Sequence, residues 1–263
     1  SDFLVKLQSY SISDGTLVYN DQTLPVLVEA RGLNHSGSGD FTATVFDLDT
    51  ETTIDSLTVD YDGIGYLSKA LVELDAQLNA NLDEMKFTLM ENDLLVNAMH
   101  LQADGFVQLP ETGDDIGLDL TFNAPENDFK NLLSLIPNAF IAGYEDVQAE
   151  GQFQFNGFVK GTYSAENETY PTFQLQLNVA DANVQYPDLP LGITDIHTQA
   201  SVNSPTSSLN DMVVDVPDFN VQIGSNPIEG RFNLKTPISD PDLDTRIEGV
   251  LDLAELGQAF PMA

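Results

Sequence analysis

Histidines and carboxylates are the side chains of this sequence that could carry chemistry. The three histidines, His35, His100 and His197, lie far apart, and none belongs to a His-x-x-x-His pair with an adjacent Glu. The chain has no Gly-x-Ser-x-Gly turn, which would indicate a serine hydrolase, and no cysteine, which excludes thiolate sites and disulfides. These residue types do not favour an enzyme, and we expect neither catalytic residues, nor a metal, nor a cofactor.

Two acidic runs have spacings that a Ca²⁺ site could use. Asp47 and Asp49, and the run from Ser239 to Asp244, place oxygens at alternate positions, but neither has the Gly and distal Glu of an EF-hand loop. Among 42 acidic residues such spacings arise by chance, so solvated carboxylates are the favoured interpretation. A Ca²⁺-dependent carbohydrate binder stays open as a weaker hypothesis. A glycosidase pair needs only proximity in space, but the absence of Trp disfavours it.

Net charge limits the partners. With 42 acidic and 9 basic residues, the chain carries a formal charge of −33. Such a field repels nucleic-acid phosphates and anionic membrane surfaces. We therefore expect no nucleic-acid partner. The same acidity could instead reflect adaptation of the source organism to high salt, and the sequence leaves both interpretations open.

Period-two alternation dominates the chain and predicts an all-β fold of mainly antiparallel strands. The clearest case lies in the second half, where six apolar residues alternate with Gln and Asn: Phe153, Phe155, Phe173, Leu175, Leu177 and Val179. Such a pattern is typical of a sheet with one dry side. That side could be the core of a closed sandwich or the lining of an open apolar groove, and the sequence does not distinguish them.

Other local patterns predict how these strands are connected. Residues 71–80 alternate as a strand, despite a composition that suits a helix. Ser13–Gly15 and Ser36–Asp40 have the composition of turns. The latter would place His35 at a turn. Toward the C-terminus we expect a strand over 247–251.

An internal repeat and two amphipathic stretches suggest two halves. Residues 15–25 and 182–190 both run from a small residue through a Tyr and an Asp to Leu-Pro, which predicts a repeated strand–turn–strand unit. Helical spacing over 128–136 and 253–260 predicts a short amphipathic helix at the end of each half. We therefore predict one β repeat over 1–145 and a second over 146–263, together forming one continuous unit.

Five stretches between residues 85 and 262 resemble the AsmA-like family of Gram-negative envelope proteins, which is related to the TamB group. They include Phe-Lys-Asn-Leu-Leu-Ser at 129–134 and Tyr-Pro-Asp-Leu-Pro at 186–190, and they fall at 87–92, 129–137, 151–163, 182–190 and 237–241. The resemblance covers about two-thirds of the chain and brings no catalytic signature.

The resemblance implies a periplasmic protein of outer-membrane biogenesis. Its N-terminal helix, expected outside this chain, would tether it to the inner membrane. It also implies a repeat-built, twisted sheet, curled into a half-barrel or groove that guides phospholipid or fatty acyl chains. On this basis we expect a non-enzymatic lipid-handling module, with the six alternating residues from Phe153 to Val179 lining the groove. A β-sandwich scaffold or adhesin-like protein-interaction module is the alternative.

Overall fold

A computed structural model describes residues 8–21, 26–61, 64–110, 113, 115–125, 128–135, 147–164, 166–186 and 191–252. The chain divides into two compact units. The first comprises Ser1–Pro125 and Leu135–Ile141, and the second comprises Glu126–Ser134 and Ala142–Ala263.

The first unit is an antiparallel sheet in which each strand pairs with the next one in the chain. Its strands are β1 (Ser9–Asp21), β2 (Val26–Gly39), β3 (Val45–Tyr61), β4 (Ile64–Asn81), β5 (Lys86–Val96), β6 (Met99–Gln108) and β7 (Ile116–Asn123).

The second unit has the same plan and contains one short helix. Its elements are α1 (Phe129–Leu133), β8 (Gln148–Tyr163), β9 (Thr172–Gln185), β10 (Ile193–Ser204), β11 (Val213–Ile223), β12 (Asn226–Lys235) and β13 (Asp242–Gly249), with a single 3₁₀ turn at Leu209–Asp211. In both units the strand order is linear, and no pairing among the described residues joins the first strand of a unit to its last. The predicted fold class, a mainly antiparallel and open β fold, is confirmed.

Two stretches that were predicted to be turns belong wholly or largely to strands. The predicted turn at 13–15 lies inside β1, and the predicted turn at 36–40 is the end of β2, with the chain turning at 40–44 instead. The rings of Tyr10 and Phe46 lie against Gly37 and Gly39. Aromatic side chains from neighbouring strands thus cover these glycines and replace the packing that they lack.

Of the other predicted elements, one strand and one helix are confirmed, and one strand has different limits. The strand predicted over 71–80 is confirmed as part of β4. The strand predicted over 247–251 is wrong in its limits, because the register pairs Lys235 with Asp242 and so begins β13 five residues earlier. Helix α1 confirms a helix within 128–136, where Asp128 caps it by accepting from the Lys130 N–H. Residues 253–260 lie outside the described residues, and the limits of the two repeats stay a prediction.

Four β-bulges with a shared hydrogen-bond geometry interrupt the described ladders, two in each unit. In each, two residues of one strand oppose one residue of the neighbouring strand, and the second of the two has a positive φ: Asp14, Lys69, Asp181 and Asp195. The N–H of that residue donates at 3.0–3.3 Å to the side chain of the single opposing residue. The acceptors are, in the same order, Asn34, Thr58, His197 and Asn183. A bulge leaves one N–H outside the ladder, and this side chain, here called the bulge cap, satisfies it.

The bulges show that the sequence repeat is also structural. Asp14 directly precedes residues 15–25, and Asp181 directly precedes 182–190. Hairpins β1–β2 and β9–β10 therefore carry the same left-handed Asp at the same place, each capped from the returning strand by Asn34 or His197.

Candidate functional site

The six residues predicted to line a groove lie on one face of the β8–β9 pair. Directly opposed residues of an antiparallel pair point to the same side of the sheet. The register opposes Phe153 to Val179, Phe155 to Leu177, Gly157 to Leu175 and Val159 to Phe173. The strand pattern therefore places these residue types together, as the alternation predicted. Their role as a groove lining stays a prediction.

The same face continues across the remaining strands of the second unit. It adds Thr198, Ala200, Val202 and Ser204 from β10, Val214, Val216 and Phe219 from β11, Gly230, Phe232 and Leu234 from β12, and Leu243, Thr245 and Ile247 from β13. We call this set, together with the six residues on β8 and β9, the apolar face. Sequence reasoning did not extend it beyond β9, although Phe232, Leu234, Leu243 and Ile247 sit at strand spacing and could have signalled it.

Exposure rises steeply along the apolar face. Phe153 on β8 is 1 % exposed and Val179 on β9 is 6 % exposed, whereas Leu243 and Ile247 on β13 are 54 % and 67 % exposed. The residues between them are mostly half-buried. Strands β9 to β12 each pair with a strand on both sides, and β8 pairs with β9 and contacts α1. Strand β13 pairs only with β12 among the described residues. The apolar face is thus buried at β8 and exposed to solvent at β13.

Helix α1 lies beside β8. Asp128 forms an isolated bridge with Gln152, and the helix contacts β8. Phe129 and Leu133 of the helix are buried, as is the neighbouring Phe153.

The opposite face of the second unit is polar. Near β8 it carries uncharged amides such as Gln154 and Gln176, and near β13 it carries ion pairs. Arg231 binds Asp244 at 3.0 Å, and Arg246 binds Glu248. The hydrogen bond and charge of Glu248 raise the pKa of the Arg246 guanidinium. Exposed pairs of this kind contribute little to stability, but charges along an edge strand discourage its pairing with other chains.

The bulges of β9 and β10 follow Val179 of the apolar face along the β9–β10 ladder. They flank the Ile196–Ala182 pair, and Ala182 is fully buried. Bulges increase the local twist and bend of a strand, so they shape this part of the sheet. Sequence reasoning missed both bulges; for the β9 bulge, the Asp that directly precedes each repeat copy was the available signal.

The first unit is also two-faced, and its polar face is acidic. Glu51 lies opposite Asp75, which in turn lies opposite Asp93 across three neighbouring strands. A cavity of about 680 Å³ on this face is lined by carboxylates that include Asp75, Asp93 and Asp104. Among the described residues, no group of three or more His, Asp or Glu side chains has a geometry that could hold a metal ion.

The residues first considered for chemistry are held by individual partners. His35 contacts the hydroxyls of Tyr10 and Thr52, each at 2.9 Å, and lies in β2 rather than in a turn. His100 contacts Asp93 at 3.0 Å. His197 is a bulge cap. Two of the carboxylates considered for Ca²⁺, Asp47 and Asp49, accept hydrogen bonds from cross-strand amides at 2.9 Å. His35 and His100 belong to the first unit and His197 to the second, and each has its own partners.

Comparison with protein-family models, with curated proteins and with solved structures finds no match for this chain. The AsmA-like resemblance therefore stays a prediction. None of the described helices has the length and apolar character needed to cross a bilayer.

Proposed function

We propose that this protein is a non-enzymatic lipid-handling module, which binds acyl chains of phospholipids or fatty acids on the apolar face of its second unit. The proposal includes the resemblance to AsmA-like proteins and, with it, a periplasmic location and a role in outer-membrane biogenesis. No part of the proposed role requires a cofactor.

The observation that carries the proposal is the exposure gradient of the apolar face. Leu243 and Ile247 belong to the same continuous face as Phe153, yet more than half of each side chain is accessible. Covering apolar surface contributes about 25 cal/mol per Å². An acyl chain laid across β11 to β13 would cover this accessible part without displacing the buried residues near β8.

The charge of the protein supports acyl-chain binding over headgroup recognition. At a net charge of −33, anionic headgroups are repelled at long range. Acyl chains carry no charge, so their burial is unaffected, and the headgroups can stay in solvent. We therefore expect binding that depends on chain length more than on headgroup.

Mass spectrometry of an organic extract of the purified protein tests the proposal, with a size- and charge-matched acidic protein as control. We expect stoichiometric phospholipid or fatty acid, taken up from zwitterionic liposomes if it is lost during purification. The double variant Phe155→Asp/Leu177→Asp and the exposed-end variant Ile247→Asp should each reduce the lipid recovered. Because Ile247 is largely exposed, its substitution does not threaten the fold.

A matched variant distinguishes the effect of disrupting the apolar face from the effect of the added charge. Gln154 and Gln176 neighbour Phe155 and Leu177 along their strands, but point to the opposite side of the sheet. Gln154→Asp/Gln176→Asp adds the same two charges and should leave lipid recovery unchanged. A clean extract from the wild-type protein, also after incubation with liposomes, would reject acyl-chain binding and leave the protein-contact scaffold as the better hypothesis.

A further inference from the structure

The β9–β10 hairpin contains two bulges, one on each strand, which lie on either side of the Ile196–Ala182 pair. Thr194 and Asp195 on β10 oppose the single residue Asn183, and Ala180 and Asp181 on β9 oppose the single residue His197. In both bulges the left-handed residue donates its N–H to the opposing side chain: Asp195 to Asn183 Oδ1 at 3.2 Å, and Asp181 to His197 Nδ1 at 3.2 Å. Asn220 on β11 adds a hydrogen bond to the carbonyl of Asp195 at 2.7 Å.

Hydrogen-bond chemistry fixes the state of His197 in this arrangement. A backbone N–H can only donate, so Nδ1 must accept and therefore carries no proton. The proton of the neutral ring is then on Nε2, which lies 3.1 Å from Asp195 Oδ1 and 3.5 Å from Asp181 Oδ1. The cap of the Asp181 bulge is thus formed by a neutral imidazole.

We propose that His197 is a pH-sensitive bulge cap, which holds the Asp181 bulge closed when neutral and releases it when protonated. A proton on Nδ1 removes the lone pair that accepts the Asp181 N–H and places two donors against each other. The hydrogen bond then breaks, and the Asp181 N–H loses its protein partner. The neutral and the protonated imidazole thus differ in whether they can accept the Asp181 N–H.

The charged side chains on the polar face around His197 are carboxylates from its own strand and the two neighbouring strands. Asp181 on β9 and Asp195 on its own strand lie beside Nε2, and Asp218 is the charged residue of β11 on the same polar face, beside the Asn220 that opposes His197. All three are carboxylates, which stabilise an imidazolium but cannot replace the lost acceptor for the Asp181 N–H. Protonation therefore exchanges a backbone hydrogen bond for side-chain ion pairs.

The first unit supplies an internal control. At the equivalent bulge the N–H of Asp14 donates to Asn34 Oδ1 at 3.0 Å, and an amide does not titrate. The same protein therefore contains one titratable cap and one fixed cap at the two copies of the repeated hairpin.

Amide hydrogen exchange of Asp181 and Asp14, followed by NMR between about pH 8 and 5 and corrected for the intrinsic pH dependence of exchange, tests the proposal without any lipid. We expect the protection of Asp181 to fall about tenfold or more toward pH 5, while that of Asp14 stays constant. His197→Asn, which copies the Asn34 cap, should make Asp181 protection independent of pH.

Two results would overturn the proposal. One is equal behaviour of Asp181 and Asp14 in the wild-type protein, a comparison that needs no variant. The other is a loss of Asp181 protection that persists in His197→Asn, since that would assign the change to Asp181 or Asp195. His197→Gln repeats the test with a longer amide should the Asn variant fold poorly.

Discussion

At the scale of single residues, the side-chain amide of Asn92 replaces backbone hydrogen bonds between two neighbouring strands. The β5–β6 register shifts between Leu89 and Leu94. In that gap the Asn92 side chain accepts from the Ala103 N–H at 2.8 Å and donates to the Ala103 carbonyl at 2.5 Å. Both backbone groups of Ala103 are thereby satisfied where the strands separate.

Asn92→Ala should therefore lower the free energy of unfolding by about 1–3 kcal/mol, because a donor and an acceptor lose their partner in a half-buried place. Urea denaturation measures it. Asn79→Ala is the matched control: its amide binds the surface carboxylate of Asp47, and its loss should cost less than about 0.5 kcal/mol. Equal effects of the two substitutions would contradict the role given to Asn92.

At the scale of elements, strand β8 needs glycine where it passes the β9 bulge. Gly151 has φ +116°, and a Cβ there would overlap Ala182 and the Asp181 carbonyl. Gly161, on the same strand, has a similar φ of +125°, but its nearest neighbour would be Pro171 at 3.5 Å. Backbone strain is common to both positions, and only Gly151 adds a steric conflict.

Gly151→Ala is accordingly expected to destabilise the protein by about 1–3 kcal/mol more than Gly161→Ala, the excess reflecting the forced shift of Ala182. Thermal and urea unfolding of the two variants provide the comparison. If both substitutions cost the same, the close approach of β8 to Ala182 does not limit the packing of this sheet.

The two ends of the apolar face should also differ in stability. Phe153→Ala removes a buried ring near α1 and should cost about 3–5 kcal/mol. Ile247→Ala, on the same face but largely exposed, should change stability by less than about 0.5 kcal/mol. Denaturant midpoints at constant m-value decide it. A large cost for Ile247 in lipid-free protein would mean that protein, rather than lipid, already covers the β13 end.

At the scale of the whole molecule, net charge governs the response to salt. A charge of −33 destabilises any compact state through self-repulsion. Screening shortens from about 30 Å at 0.01 M to about 3 Å at 1 M salt. We expect the melting temperature to rise with NaCl and then level off as screening becomes complete.

Ca²⁺ and Mg²⁺ at equal ionic strength should give the same rise, if the carboxylates act only through their collective field. Differential scanning fluorimetry with chelator-treated protein as the reference would reveal any difference. A saturating increase specific to Ca²⁺ would instead revive the carbohydrate-binder hypothesis and identify a site outside the geometry described above.

Much of the fold could be predicted because its signal is local. The alternation of Phe153, Phe155 and Leu177 with amides sets the side of the sheet on which each lies, whatever the partner strand. The stretch around Leu74 could be recognised as strand for the same reason. The end of β2 could not, because Gly37 has the composition of a turn and the Tyr10 ring that covers it comes from another strand.

The sequence by itself determined that the β8–β9 pair has one apolar and one polar face, since side-chain direction alternates with period two along these strands between the bulges. It also determined that one hairpin occurs twice. Only the tertiary structure decided that Phe153 is buried and Ile247 exposed. It also decided that His197 caps a bulge, whereas His35 does not. Burial and capping depend on which strand lies beside a residue, and strand neighbours are chosen by pairing across the chain.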